Sequence, residues 1–160
     1  HQQGKMIDGY DIVQGEGAMA PTRCGAVPVA GILDFGHTIK EARGMCMKTG
    51  GFVDLLGTSD AIEVCNRAAD GDKAAARAWD AMLYQINKYI GSMATVLGGK
   101  VDGILLGGGM VHNKDLVASI ERGCGWIASV SAYPGEFELE AMAAGAIRVL
   151  TGEEEPLTLN

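Results

Sequence analysis

The chain has 160 residues, 48% of them hydrophobic and 24 of them glycine, with a formal net charge of −7. That length suits one domain able to bury a core, and the composition excludes disorder in favour of an α/β protein with many tight turns. The acidic balance argues against capture by nucleic acid or an anionic membrane surface, and no apolar run approaches the ~18 residues of a membrane span.

The first residues, His1 to Gly4, are polar and lead into Lys5-Met6-Ile7-Asp8, whose pattern predicts a short strand. A glycine- and proline-set loop follows, Gly15 to Gly25, carrying Arg23. Val29 to Phe35 and Thr38 to Lys48 have helical spacing and are separated by Gly36; after Gly50-Gly51, Phe52 to Leu56 reads as a short apolar turn. Asp60-x-x-Glu63 has the form of a helix start and predicts a helix to about Ala69. From Asp72 to about Leu97, Trp79, Met82, Leu83, Ile86, Ile90, Met93 and Leu97 recur at intervals of three and four, which predicts a long helix ended by Gly98-Gly99. Val101 to Leu106 reads as a strand running into Gly107-Gly108-Gly109, then a helix from Asn113 or Lys114 to Glu121. Trp126 to Val130 reads as a strand, Tyr133 to Glu136 as a turn and Phe137 to Leu150 as a closing helix. Strands separated by helices imply a parallel sheet, with ligands bound beyond the carboxyl ends of its strands. The strands ahead of the first helices are too few for a complete sheet, and the chain opens at His1 without an initiator methionine. Both features point to the back part of a longer protein. With no signal peptide in view, a cytoplasmic location is expected. Four scattered cysteines without a C-x-x-C pair, and three histidines, fit reduced thiols and no zinc site.

Three turns could carry chemistry. Arg23 presents a planar fork of donors suited to phosphate or carboxylate, on a loop that glycines and Pro21 constrain; an ordinary surface arginine is the alternative. Gly107 to Gly109 offers bare backbone and a helix start to an anion, or simply close helix packing. Gly57-Thr58-Ser59-Asp60 could hold a ribose or merely cap a helix. Glu136, Glu138 and Glu140 surround the start of the last helix, where they could compensate its dipole or hold Mg²⁺ through water. His112 has no identifiable partner and is a weak general-base candidate.

Taken in order, these motifs resemble the C-terminal part of the butyrate kinases, within the acetate kinase/Hsp70/actin-like superfamily. Gly15-Glu16-Gly17 with Pro21, Arg23, Gly25 and Pro28 is similar to the family's arginine loop. Gly50-Gly51-Phe52-Val53 with Leu56 to Ala61 resembles its adenosine-side turn, and Val101 to Ile104 leading into Gly107 to Gly109 its adenine-side glycine loop. Tyr133-Pro134-Gly135-Glu136 and the helix through Ala144-Gly145-Ala146 match its C-terminal end. The resemblance implies an RNase H-like (actin-like ATPase) α/β domain over residues 1–160, with a helical insertion at about 29–70 and its first strands lacking. It implies ATP-dependent phosphorylation of a short-chain carboxylate such as butyrate, or the reverse reaction forming ATP from ADP, with Mg²⁺. Arg23 would steady the phosphoryl group in flight. Gly57, Thr58, Ser59, Asp60 and Ala61, with Gly107, Gly108, Gly109 and Asn113, would line the adenosine, and Glu136 or Glu138 would lie near Mg²⁺. A homo-oligomer is expected, as is an N-terminal domain, outside this chain, holding the first phosphate loop and much of the carboxylate pocket. The chain by itself is therefore expected to be inactive. A non-catalytic nucleotide-binding regulator on the same fold is the alternative. The pattern departs at Ile62, where many relatives carry arginine, and at Gln14, where aspartate often precedes Gly-Glu-Gly.

Overall fold

One long helix organises the molecule. In the computed structural model, which describes residues 1–156, α5 runs from Lys73 to Val96, 24 residues, or about 36 Å. Asp72 starts it by accepting hydrogen bonds from the amides of Ala74 and Ala75, which satisfies two of the unpaired N–H groups of a helix start. One face buries Ala75, Ala78, Trp79, Met82 and Leu83, and this stripe is what the other elements pack on.

Four helices precede it: α1 (Val29–Asp34), α2 (Ile39–Met47), α3 (Phe52–Leu56) and α4 (Ala61–Ala69). Thr38 and Glu41 form a reciprocal cap at the start of α2. Neither α1 nor α2 buries a side chain completely. The segment from Phe52 to Leu56, expected as a turn, is a helix because Phe52 inserts fully into the core, its ring 6.1 Å from that of Trp79. Helix α4 lays Val64 into the same core.

After α5 comes a two-stranded parallel sheet, β1 (Ile104–Gly108) and β2 (Val130–Pro134), in register Ile104 opposite Val130 through Gly108 opposite Pro134. A single 3₁₀ turn (Gly109–His112) and helix α6 (Lys114–Cys124) connect them, the crossover that a parallel pair requires. Leu116, Ile120 and Cys124 of α6 complete the core with Ile104. Helix α7 (Glu138–Leu150) follows β2, and none of its residues is buried.

Three expectations shift. Lys5 to Asp8 is not a strand: Gln2 and Lys5 form only an isolated bridge, Met6 is 74% exposed, and no strand among the described residues pairs with the segment. The first sheet strand starts at Ile104 rather than Val101, after a bend at Asp102. The second starts at Val130 rather than Trp126, because α6 continues to Cys124 and Trp126 closes its end, the indole N–H donating to the carbonyl of Gly123 at 2.9 Å. Tyr133 and Pro134 accordingly belong to the strand, and the chain turns at Gly135, which exchanges backbone hydrogen bonds with Gly108.

Candidate functional site

The arginine loop is held on three sides by backbone. Ala20 and Arg23 pair with each other across a tight turn, with N···O distances of 3.0 and 3.4 Å. The amide of Gly50 donates to Thr22, that of Val53 to Pro21, and that of Cys24 to Met45, at 3.2, 3.1 and 2.9 Å. From α5, the side-chain oxygen of Gln85 accepts from the amide of Met19 at 2.7 Å. Glycine is needed where the chains cross. A Cβ on Gly51, at φ +62°, would fall on the carbonyl oxygen of Ala20, and one on Gly50 would meet the carbonyl of Met45 and the amide of Cys24. Gly50-Gly51 is thus a seat for the loop. Arg23 is half-buried, and its Nε is buried without a hydrogen-bond partner among the described residues. A buried donor left unpaired costs about 1–3 kcal/mol.

A second feature lies beyond the carboxyl end of β1. A cleft of about 350 Å³ is lined by Asp60, Ala61 and Ile62 from the start of α4, Trp79 from α5, and Gly109, Met110, His112 and Asn113 from the 3₁₀ turn. Two turns far apart in sequence therefore meet across one opening. Of the sequence-predicted residues, Asp60, Ala61, Gly109 and Asn113 line it; Gly57, Thr58, Ser59, Gly107, Gly108 and Arg23 do not.

Most polar side chains here are already committed. Asp60 accepts from the amides of Ile62 and Glu63, and the Thr58 hydroxyl donates to Glu63 while accepting from the amide of Asp60. Asn113 accepts from Asp115 and Leu116 at the start of α6, and its amide nitrogen donates to Cys65 Sγ at 3.3 Å, joining the cleft's two walls. Burial pushes the Cys65 thiol up, so it stays a neutral partner in that contact.

Glu136 and Glu138 are exposed at the far end of β2, just past the Gly108–Gly135 pairing. Among the described residues no group of three or more His, Cys, Asp or Glu side chains gathers to hold a metal.

The sequence reading missed three supports. Arg67 ties the Thr58 turn down by donating to the carbonyl of Leu56 at 3.2 Å and pairing with Asp72 and Glu63. Gln85 anchors the arginine loop, and Trp79 floors the cleft. Arg67 had a signal, its i,i+4 spacing from Glu63; Gln85 had none, since its partner is 66 residues away.

A profile of the acetokinase family matches residues 2–124. The chain belongs to the acetokinase family. This acetokinase chain is 43% identical over 159 residues to proteins named probable butyrate kinase from Clostridium botulinum, strains Eklund 17B and Alaska E43, covering 97% of itself and 45% of each relative. It thus spans less than half the length of those relatives. Among solved structures it is similar to an acetate kinase of Porphyromonas gingivalis, with TM-score 0.75 and 21% identity over 85% of this chain and 41% of that one. An acetate kinase of Entamoeba histolytica gives TM-score 0.72 and 16% identity over 83% and 43%. The fold is the actin-like, RNase H-like α/β fold of these kinases, present here in part. Among the described residues no helix is long and apolar enough to cross a membrane.

Proposed function

We propose that this acetokinase-family chain is the nucleotide-side part of a butyrate kinase, which transfers a phosphoryl group between ATP and a short-chain carboxylate. The observation that carries the reading is the cleft joining Asp60–Ile62 to Gly109–Asn113 beyond the end of β1, the position at which open α/β sheets bind nucleotides. The 43% identity to proteins named butyrate kinase supports butyrate as the carboxylate.

On this reading the cleft takes the adenosine against Trp79, with Ala61, Gly109 and Asn113 as walls. Gly107 and Gly108, at the end of β1 just before the cleft's 3₁₀ turn, and Gly57 to Ser59, just before Asp60, are assigned to the rest of the nucleotide. The half-buried guanidinium of Arg23 supplies the donors for charge developing on the transferring group, where a fixed guanidinium lowers the barrier without reorganising. Glu136 and Glu138 would hold Mg²⁺ through water, and what magnesium supplies when bound is neutralisation of phosphate charge. The carboxylate acceptor is already ionised at neutral pH, so no strong general base is required of His112. The other phosphate loop and the carboxylate pocket belong to the remainder of the protein, so these 160 residues alone do not turn over.

The test uses the two tryptophans. Trp126 is 80% exposed and remote from the cleft lining, so Trp126→Phe leaves Trp79 as the only indole. Adding MgATP to that variant should change the Trp79 emission saturably, with acyl phosphate formed only by the full-length protein. An emission insensitive to ATP would remove the nucleotide from this cleft, and acyl phosphate made by the isolated chain would overturn the division of labour.

A further inference from the structure

Beside Arg23 lies a pair of thiols that phosphoryl transfer does not use. Cys24 follows Arg23 directly, and its amide donates to the carbonyl of Met45 at 2.9 Å. That bond holds the α-carbons of Cys24 and Cys46 no more than about 7 Å apart, by bond lengths alone. The side chains converge as well. Cys24 Sγ donates to the carbonyl of Gly25 at 3.2 Å. A Cβ built on Gly15 would lie 3.2 Å from Cys46 Sγ and 3.9 Å from that same carbonyl, so both sulfurs border one small space that Gly15 leaves open. Burial and the neighbouring Cys46 thiol push the Cys24 thiol up. Both cysteines are free and half-buried, within reach of a small solute.

We propose that Cys24 and Cys46 are a reversible oxidation site whose disulfide staples the arginine loop to α2. Disulfides need α-carbons about 4.4–6.8 Å apart and facing Cβ atoms; the Cys24–Met45 backbone bond brings the α-carbons to that scale, and the space beside Gly15 is bordered by both side chains. The oxidant is a hydroperoxide such as hydrogen peroxide. The two sulfurs are interchangeable in this chemistry, and the step is written with Cys46 as the first nucleophile. Its thiolate attacks one peroxide oxygen and the O–O bond breaks, giving a sulfenic acid and hydroxide. The Cys24 sulfur then attacks the sulfenic sulfur, forming the S–S bond and releasing the second oxygen as water. Two thiols and one hydrogen peroxide become one disulfide and two waters. The crosslink adds a covalent tie where the loop already has hydrogen bonds, so Arg23 stays in its seat while the loop loses freedom.

The experiment treats the purified chain with a small excess of hydrogen peroxide and maps disulfides by mass spectrometry of unreduced peptides. Titratable thiols should fall from the four of the free protein to two, with a linked Cys24–Cys46 peptide pair, and dithiothreitol should restore all four. Cys65, against Asn113, and Cys124, against Asn87, are internal controls and should remain thiols. Cys24→Ser and Cys46→Ser should each abolish the reductant-reversible loss of two thiols. The same treatment in urea should scatter the pairing. Overoxidation without a linked pair, pairing through Cys65 or Cys124, or an unchanged Cys24–Cys46 preference in urea would each overturn the proposal.

Discussion

Replacing Gly51 by alanine tests the seat beneath the arginine loop. Gly51 combines φ +62° with ψ −132°, a conformation that alanine adopts at a cost of about 1–3 kcal/mol. Its new methyl would also fall on the carbonyl oxygen of Ala20. That oxygen belongs to backbone and can retreat only by loosening the Gly50–Thr22 and Val53–Pro21 hydrogen bonds, each worth about 1 kcal/mol. The total is about 3–5 kcal/mol, against the 5–15 kcal/mol that holds a typical domain folded. Gly57→Ala is the control: it also has positive φ, +75°, but nothing lies within 4 Å of its Cβ position, so only the left-handed penalty of about 1–2 kcal/mol applies. Urea unfolding followed by circular dichroism should separate the variants by about 2–3 kcal/mol at equal m-value. Equal destabilisation would refute the close approach of Gly51 to Ala20.

Met82, almost fully buried in the stripe of α5, should cost about 2–5 kcal/mol as alanine, while the exposed Ile62 at the cleft rim should cost less than about 0.5; thermal melts distinguish them. Asp72 is held below the ordinary aspartate range, first by the amide of Ala75 and then by the Arg67 side chain. Its contribution is therefore complete above the unfolded value of about 3.9 and lost as pH falls through the lower folded value. The gap in unfolding midpoint between the wild-type chain and Asp72→Ala should stay level from pH 7 to about 5 and close in more acidic buffer; a gap constant down to about pH 2 would contradict this. In the full-length protein, Arg23→Ala should lower kcat by roughly a hundredfold or more with little change in KM for ATP. Unchanged turnover would remove Arg23 from the chemistry.

The helices were legible where local chemistry specifies them. Asp60, Asp72 and Asn113 each cap the helix that follows, and the three-and-four spacing from Trp79 onward marks the face that α5 buries. The strands were less legible, because pairing is a property of two segments. Val101 and Trp126 have strand-like neighbours, yet the paired register starts three and four residues later, where Ile104 meets Val130. Lys5 to Asp8 carries a strand pattern without a partner to act on it. For the site, the glycine turns could be read as ligand-facing, but their convergence on Trp79 needed the packing of α4 on α5. The orphaned Nε of Arg23 and the approach of Cys24 to the Met45–Cys46 backbone are products of the fold alone.

Helix α7 has a practical consequence for anyone handling this polypeptide in isolation. Leu139, Met142, Ile147 and Leu150 all face water, the last with 85% of its surface accessible. Such a patch makes the colloidal behaviour of the solution depend on dilution, because two patches meeting release ordered water. Light scattering should rise with protein concentration and fall with a trace of mild detergent, so ligand titrations belong at the most dilute end that the signal permits.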